Sequence, residues 1–443
     1  MMDPRQTIAT APLSRFQIVA VAVCVIATAL DGFDVLSISF ASPGIAEEWR
    51  IDRAALGVVL SMELVGMAIG SIAIGALADR IGRRPVMLGC LAVMAIGMAL
   101  AALADDVVVL SAVRLATGVG IGGMLAATAA MVAEYANVRT RNLAVAAMAT
   151  GYPLGAAFGG AIASSLLVTF DWRSVFILGA VLTAGVIPLV YAFLPESIEF
   201  LVERRPKDAL ERVNKLLRRM GHEPTPALLP RHGAPDRSTV SRLFAPDLIR
   251  ATVILTAAYF AHIVTFYFIL KWTPKIVVDL GYAPSVAGGV LVWTSLGGAL
   301  GAIILGLLSS RYQLRKLIIG VLLFSAVSVS AFGAEHPTLL QLTLVAAAAG
   351  FFTNSAIVGL YALFAQSFPT DVRAGGTGFV IGVGRGGAMM APMLAGLLFQ
   401  NGIGLQQVAF LMASGSILAA GLLAALVAGR RATEAAPELG GGG

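Results

Sequence analysis

Apolar runs of about twenty residues recur along the whole 443-residue chain, separated by short polar joints. They fall at 16–40, 54–78, 86–104, 107–131, 142–168, 174–194, 247–271, 284–308, 317–334, 338–365, 375–399 and 405–428. Crossing a hydrocarbon core of about 30 Å takes about 20 helical residues. Inside that core only a helix or a closed barrel satisfies its own backbone polar groups. The pattern predicts an all-α membrane protein of twelve transmembrane helices. One long polar stretch, 195–246, interrupts it with Glu203-Arg204-Arg205-Pro206-Lys207 and a helical segment from Asp208 to Met220. The chain therefore divides into an N-terminal six-helix bundle (1–194), a linker with short helices (195–246), a C-terminal six-helix bundle (247–430) and a tail (431–443) that reads as flexible.

The two bundles repeat one pattern. At an offset of 231 residues, span 16–40 falls on 247–271, and Gly75-Ala-Leu-Ala-Asp79-Arg80 falls on Gly306-Leu-Leu-Ser-Ser310-Arg311. Arg84 falls on Arg315 and Gly151 on Gly382. Two pseudo-symmetric halves in the same orientation are a common plan for secondary transporters, with the substrate site near mid-membrane between them.

Composition agrees with the pattern. Charged residues make up 13% of the chain against roughly 25% in soluble domains, which leaves little water-facing surface. The net charge of +6 has an explanation in its distribution. With the N-terminus in the cytoplasm, 24 of the 31 Lys and Arg residues lie in cytoplasmic segments. Arg50, Arg53, Arg173, Lys271 and Lys275 lie in external loops, and two arginines lie in spans. This positive-inside bias sets both termini in the cytoplasm and removes the need for a nucleic-acid partner. Cys24 and Cys90 both sit in apolar runs, so no disulfide framework is implied. The first run lacks a small-residue cleavage site and reads as a retained span.

The loop between spans two and three reads Gly75-Ala-Leu-Ala-Asp79-Arg80-Ile-Gly82-Arg83-Arg84. Its arginines hold it on the cytoplasmic side, and Asp79 is placed to accept from a neighbouring helix N-terminus. The segment resembles the G-x-x-x-D-R-x-G-R-R loop of the major facilitator superfamily, and helix count and repeat extend the resemblance over almost the whole chain. That resemblance implies a conformational latch made by Asp79, Arg80, Arg83 and Arg84. The second-half copy has Ser310 in place of the acid, so one latch is expected to be strong. A monomer is the superfamily's habit.

Charges inside spans are costly and mark functional sites. Spans three, six, nine and twelve hold none; in the superfamily's arrangement these face lipid. Charges occur in span one (Asp31, Asp34), span two (Glu63), span four (Arg114) and span eleven (Arg385). The first four share one layer in the outer half, given the assumed span ends and a rise of about 1.5 Å per residue. Asp31-Gly32-Phe33-Asp34 puts two carboxyl groups on one helix face at i and i+3. Two buried like charges do not both persist, so the pair is a reversible proton site; an ion pair with Arg114 is the other reading, and the two are compatible. Glu63 reads as a gating residue. Glu134, with Arg139 and Arg141, reads as an intracellular gate at the inner end of span four.

The resemblance narrows here. Asp-Gly-x-Asp in span one, an Arg before Gly118-Val-Gly120 in span four, and Pro195-Glu196-Ser197 after span six resemble the aromatic acid:proton symporter family, which imports benzoate, hydroxybenzoates and related acids into bacteria. Pro-Glu-Ser also occurs in sugar porters. By that resemblance Asp31 and Asp34 match the essential acidic pair, Arg114 the fourth-span arginine and Arg385 the eleventh-span Gly-Arg. Either arginine can grip a carboxylate through two parallel hydrogen bonds. Phe33, Tyr152, Phe266, Tyr267 and Trp293 either line a ring-binding wall or pack helices. His262, the sole intramembrane histidine, falls at the repeat position of Asp31; it titrates, binds a substrate hydroxyl, or is a satisfied structural residue. Asn354 in span ten is a further polar candidate.

The glycines of Gly151-Tyr152-Pro153-Leu154-Gly155…Gly159-Gly160 allow close packing and a bend in span five. Drug:proton antiporters carry a related Gly-Pro-x-x-Gly-Gly pattern, from which Tyr152 departs. The expectation is a proton-coupled importer of an aromatic carboxylate in a bacterial inner membrane, working by alternating access with protons and the acid as its partners. A symporter of another organic anion and a drug:proton antiporter are the alternatives. No nucleotide-binding loop is present, the four histidines are too scattered for a metal site, and neither an enzyme nor a cofactor is expected.

Overall fold

The computed structural model describes residues 3–228, 239–369 and 372–434. Linker residues 229–238, His232 among them, and tail residues 435–443 lie outside the described residues. The described residues form sixteen helices and no strand. Twelve are long and apolar enough to cross a membrane. In chain order they are α2 (Arg15–Trp49), α3 (Arg53–Ile81), α4 (Arg83–Ala102), α5 (Val107–Tyr135), α6 (Arg141–Leu166), α7 (Arg173–Phe193), α11 (Ile249–Asp279), α12 (Pro284–Leu308), α13 (Leu314–Phe332), α14 (Leu339–Ser367), α15 (Arg373–Gln400) and α16 (Leu405–Glu434). Short helices make up the rest: α1 (Pro4–Thr10) before the first span, and α8 (Ile198–Arg204), α9 (Ala209–Arg219) and α10 (Thr239–Leu243) in the linker.

Several helices outrun their apolar cores, and the difference moves the charges. Helix α2 is 35 residues long and continues through Pro43 to Trp49. Proline leaves the carbonyl four residues back without its donor; here Ser42 Oγ donates to the Ser39 carbonyl at 2.9 Å and the helix carries on. Asp31 and Asp34 therefore lie near the middle of α2, not in its outer half. Likewise α11 continues through Pro274 to Asp279, which places Lys271 inside a membrane helix. The sequence had assigned it to an outer loop.

The chain forms two compact units, Met1–Ala234 with Leu270–Leu296, and Pro235–Ile269 with Gly297–Gly443. Residues 270–296, which belong to the second half by sequence, pack in the first unit. Within that unit α2 and α6 touch backbone to backbone. A Cβ on Gly155 would lie 1.7 Å from the Ala29 carbonyl oxygen, and one on Gly32 would lie 1.9 Å from that of Tyr152. Glycine is the residue that permits such an approach. Exposed rows of large apolar side chains, such as Val93, Ile96 and Leu100 on α4 or Leu323, Phe324 and Val327 on α13, suit a lipid surround.

Candidate functional site

The first unit holds a buried cluster of five ionisable side chains. Asp31 and Asp34 come from α2, Glu63 from α3, Arg114 from α5 and Lys271 from α11, all fully or almost fully buried. Arg114 is its hub. The guanidinium Nη2 donates to Glu63 Oε2 at 2.6 Å and to the Asp34 backbone carbonyl at 2.9 Å. Nη1 points at the Met98 sulfur at 3.0 Å, and the group lies 5.5 Å from the centre of the Phe176 ring. Lys271 Nζ approaches the same Glu63 oxygen at 3.3 Å and donates to the Val35 carbonyl.

The acidic pair is held differently. Asp34 Oδ2 accepts from Thr183 at a long 3.4 Å, and Oδ1 has no partner. Neither carboxyl oxygen of Asp31 has one. Burying an ionised carboxylate without partners is far more costly than burying the neutral acid. The geometry thus contains two acids poorly held as anions, beside a guanidinium already committed to Glu63. An ion pair of Arg114 with the carboxylates of the Asp31/Asp34 pair, open from the sequence, is absent among the described residues. Lys271 is the member that sequence reasoning missed. A lysine at the edge of an apolar run reads as a boundary, although Ile276-Val277-Val278 beyond it carried the signal that the helix continues.

A second network lies at the end of the first unit that carries the Arg-rich loop. The sequence assigned a helix N-terminus to Asp79, but the structure gives that role to Glu196. Its Oε1 accepts from the backbone N–H groups of Arg83 (2.9 Å) and Arg84 (3.3 Å), the first residues of α4, and from Ser197 N–H (2.8 Å). A carboxylate there satisfies orphan donors and complements the helix dipole. The approach needs Gly82, whose φ of 107° favours glycine and whose Cβ would come within 2.4 Å of Glu196 Oε2. Asp79 itself is largely exposed, with Arg83 at 3.6 Å. Arg80 is exposed, and Arg84 donates to the Tyr191 carbonyl at 2.6 Å.

Glu134 belongs to this network through other partners than those expected. Arg83 and the Ser197 hydroxyl bond its carboxylate, while Arg139 and Arg141 are exposed and make no ion pair among the described residues. Tyr135 OH donates to the Glu196 carbonyl at 2.6 Å. Pro-Glu-Ser, the least specific motif by sequence, is the centre of the assembly. Glu196 lies 113 residues from Arg83 in the chain, and spacing carries no signal over that distance.

The remaining candidates separate by environment. Phe33 is buried against α6, where a Cβ on Gly159 would touch its ring. Tyr152 of α6 abuts Gly32 through its backbone. Phe266 and Tyr267 form an edge-on pair 5.2 Å apart, and both are buried. Trp293 is 56% exposed on the same face of α12 as Leu300, Ile304 and Leu307, a lipid-type row and not a ring pocket. Asn354 ties α14 to α12 by donating to the Gly298 carbonyl at 2.8 Å.

His262 is fully buried with both nitrogens used, Nε2 against the Thr353 carbonyl and Nδ1 against Ser416 Oγ, each at 2.9 Å. It is a satisfied structural histidine here, with no nitrogen left for substrate. Arg385 differs from all of these. It is half-buried and has no hydrogen bond or ion pair among the described residues. The neighbouring Gly384 packs on the Tyr259 ring, and Tyr259 OH meets Tyr361 OH at 3.0 Å.

Twelve helices long and apolar enough to cross a membrane, with an acid–base cluster buried in mid-helix in the first unit, define a multi-pass membrane protein of the transporter type. The chain belongs to the Major Facilitator Superfamily, which it matches over residues 24–275 and 255–443. It is 32% identical to the 4-hydroxybenzoate transporter PcaK of Pseudomonas putida, with 92% of each chain covered. It is 29% identical to the gallate transporter of the same species, covering 99% of this chain and 97% of that one. Among solved structures, the xylose transporter XylE from E. coli shares the fold, with a TM-score of 0.72 at 15% identity over 93% of this chain and 99% of that one. These relatives move solutes and are not enzymes.

Proposed function

We propose that the protein imports an aromatic carboxylate, benzoate or a hydroxylated relative, together with a proton, by alternating access in a bacterial inner membrane with both termini cytoplasmic. The observation that carries the coupling is the buried pair Asp31/Asp34 beside an Arg114 committed to Glu63. The substrate class rests on the named cargo of the relatives, 4-hydroxybenzoate and gallate.

In this reading a proton neutralises the acidic pair from outside, and Arg114 stays on Glu63. Release of the proton on the inside leaves an anion that draws Arg114 toward Asp34, an exchange of one buried pairing for another. Arg385, whose guanidinium has no competing partner among the described residues, holds the substrate carboxylate through a bidentate pair. Tyr361 supplies a neighbouring phenol. Arg114 takes no substrate contact, because its charge is spent inside the cluster.

Purified protein in vesicles with an imposed alkaline interior tests the reading. It should accumulate 4-hydroxybenzoate unchanged, lose accumulation when a protonophore collapses the gradient, and gain thermal stability from its true ligand. Accumulation indifferent to the gradient would remove the coupling. Thermal silence across benzoates, phenylpropionates and muconates would remove the substrate class.

A further inference from the structure

Lys271 is buried as completely as Arg114 and Glu63, yet the exchange between Asp34 and Arg114 does not use it. Its two contacts are specific: Glu63 Oε2 at 3.3 Å and the Val35 carbonyl. Val35 follows Asp34, whose carbonyl Arg114 holds. Both cations therefore grip the same turn of α2.

The cluster has bonds left to make. Arg114 spends Nη1 on a thioether sulfur, a weak acceptor, and Nε has no partner. Asp34 Oδ1, both oxygens of Asp31 and Glu63 Oε1 are without partners as well. Leftover donors and acceptors in one buried cluster define a second bonding pattern of the same groups, with the guanidinium on the Asp34 carboxylate. That pattern takes from Glu63 its partner at 2.6 Å. A buried carboxylate stripped of its cation is strongly unfavourable. Lys271 is the one charge in the cluster able to prevent this.

We propose that Lys271 is a positioning residue for proton exchange: its ammonium keeps Glu63 paired while Arg114 passes from Glu63 to the deprotonated Asp34. The proposal rests on the reading of Asp31/Asp34 as the proton pair. The O–H bond of the acid breaks, the proton leaves to water, and an N–H···O bond from Arg114 replaces it; both cations keep their charge throughout. The groups facing the pair are Glu63 from α3, Cys90 from α4, Arg114 from α5, Tyr152 from α6 and Lys271 from α11, with Thr183 and Phe176 from α7. No other cation is among them.

The test reads protonation directly, on purified protein without substrate, as the pH at which the infrared band of the protonated carboxyl groups disappears. The D31N/D34N variant identifies the band. Lys271→Met should hold the acid to a pH higher by about one unit, a tenfold change in proton affinity. Lys271→Arg should restore the wild-type midpoint. E63Q/K271M removes the carboxylate together with its cation, frees Arg114 for Asp34, and should titrate at or below the wild-type midpoint.

An unchanged midpoint in K271M, or a double variant titrating above wild type, overturns the proposal. If K271M does not fold, the charge-balanced double variant and Lys271→Arg still decide it. Uptake of 4-hydroxybenzoate by K271M should fall at least about tenfold, with E63Q/K271M recovering part of it. Wild-type protein that moves no aromatic acid would refute the proposed function, while the carboxyl titration would still decide the role of Lys271.

Discussion

The two halves of the chain each hold six long apolar helices but spend their polar residues in opposite ways. In the first unit, Asp31, Asp34, Glu63 and Arg114 bury ionisable groups in mid-helix. At the repeat offset, their counterparts are His262, Thr265, Thr294 and Val345. Each polar member of that second set is satisfied within the second unit or its own helix: His262 by Ser416 and the Thr353 carbonyl, Thr265 by the Met412 carbonyl at 2.6 Å, Thr294 by the Val290 carbonyl at 2.9 Å. The first set leaves carboxyl oxygens and a guanidinium N–H unbonded. Unsatisfied buried charge is tolerated where it does work. Under the proposed function, this contrast puts the proton in the first unit and gives the half-buried Arg385 of the second to the substrate.

The largest expected effect breaks this contrast on stability. Glu63→Gln removes the buried carboxylate that Arg114 and Lys271 share and should cost about 3–5 kcal/mol, read as a lower melting temperature in detergent. The equivalent Thr294→Val should cost about 1 kcal/mol or less. Equal losses would mean that the two positions are held alike. His262→Asn should cost about 1–3 kcal/mol for the polar groups it strands, with the pH dependence of uptake unchanged. A displaced pH profile would move proton handling into the second unit.

Arg385→Lys keeps the charge but loses the planar fork. It should raise the half-saturating concentration of 4-hydroxybenzoate about tenfold, about 1.4 kcal/mol, at an unaltered proton profile. Loss of the proton response instead would join Arg385 to the coupling machinery. The smallest effect is at the second network of the first unit. Glu196→Gln retains hydrogen-bonding capacity but removes the charge from the α4 N-terminus, and should cost about 0.5–1 kcal/mol in melting experiments.

Helix count and membrane class were legible because hydropathy over twenty residues is a strong signal with one physical cause. Asp31, Asp34, Glu63 and Arg114 were legible for the same reason, since a charge inside an apolar run stands out. What escaped were partners. That Arg114 serves Glu63 instead of the Asp31/Asp34 carboxylates depends on helix rotation, which the sequence alone leaves free. Lys271 was hidden by a boundary drawn at the first charge, whereas α11 runs on through Pro274 to Asp279. Asp79 carried the familiar motif, yet Glu196 caps α4, because capping depends on which carboxylate the folded chain brings to the helix end. His262 matched Asp31 in register but not in chemistry: Ser416 and Thr353 occupy its nitrogens from two helices that no local pattern connects to it.

Counterflow separates carrying from coupling most directly. Vesicles loaded with 4-hydroxybenzoate should exchange it with labelled acid outside at a near-normal rate when Asp34 is replaced by Asn, while uptake driven by an imposed pH gradient falls to the level of empty vesicles. Gradient-driven accumulation of wild-type size in D34N, and again in D31N/D34N, would contradict the account at its root.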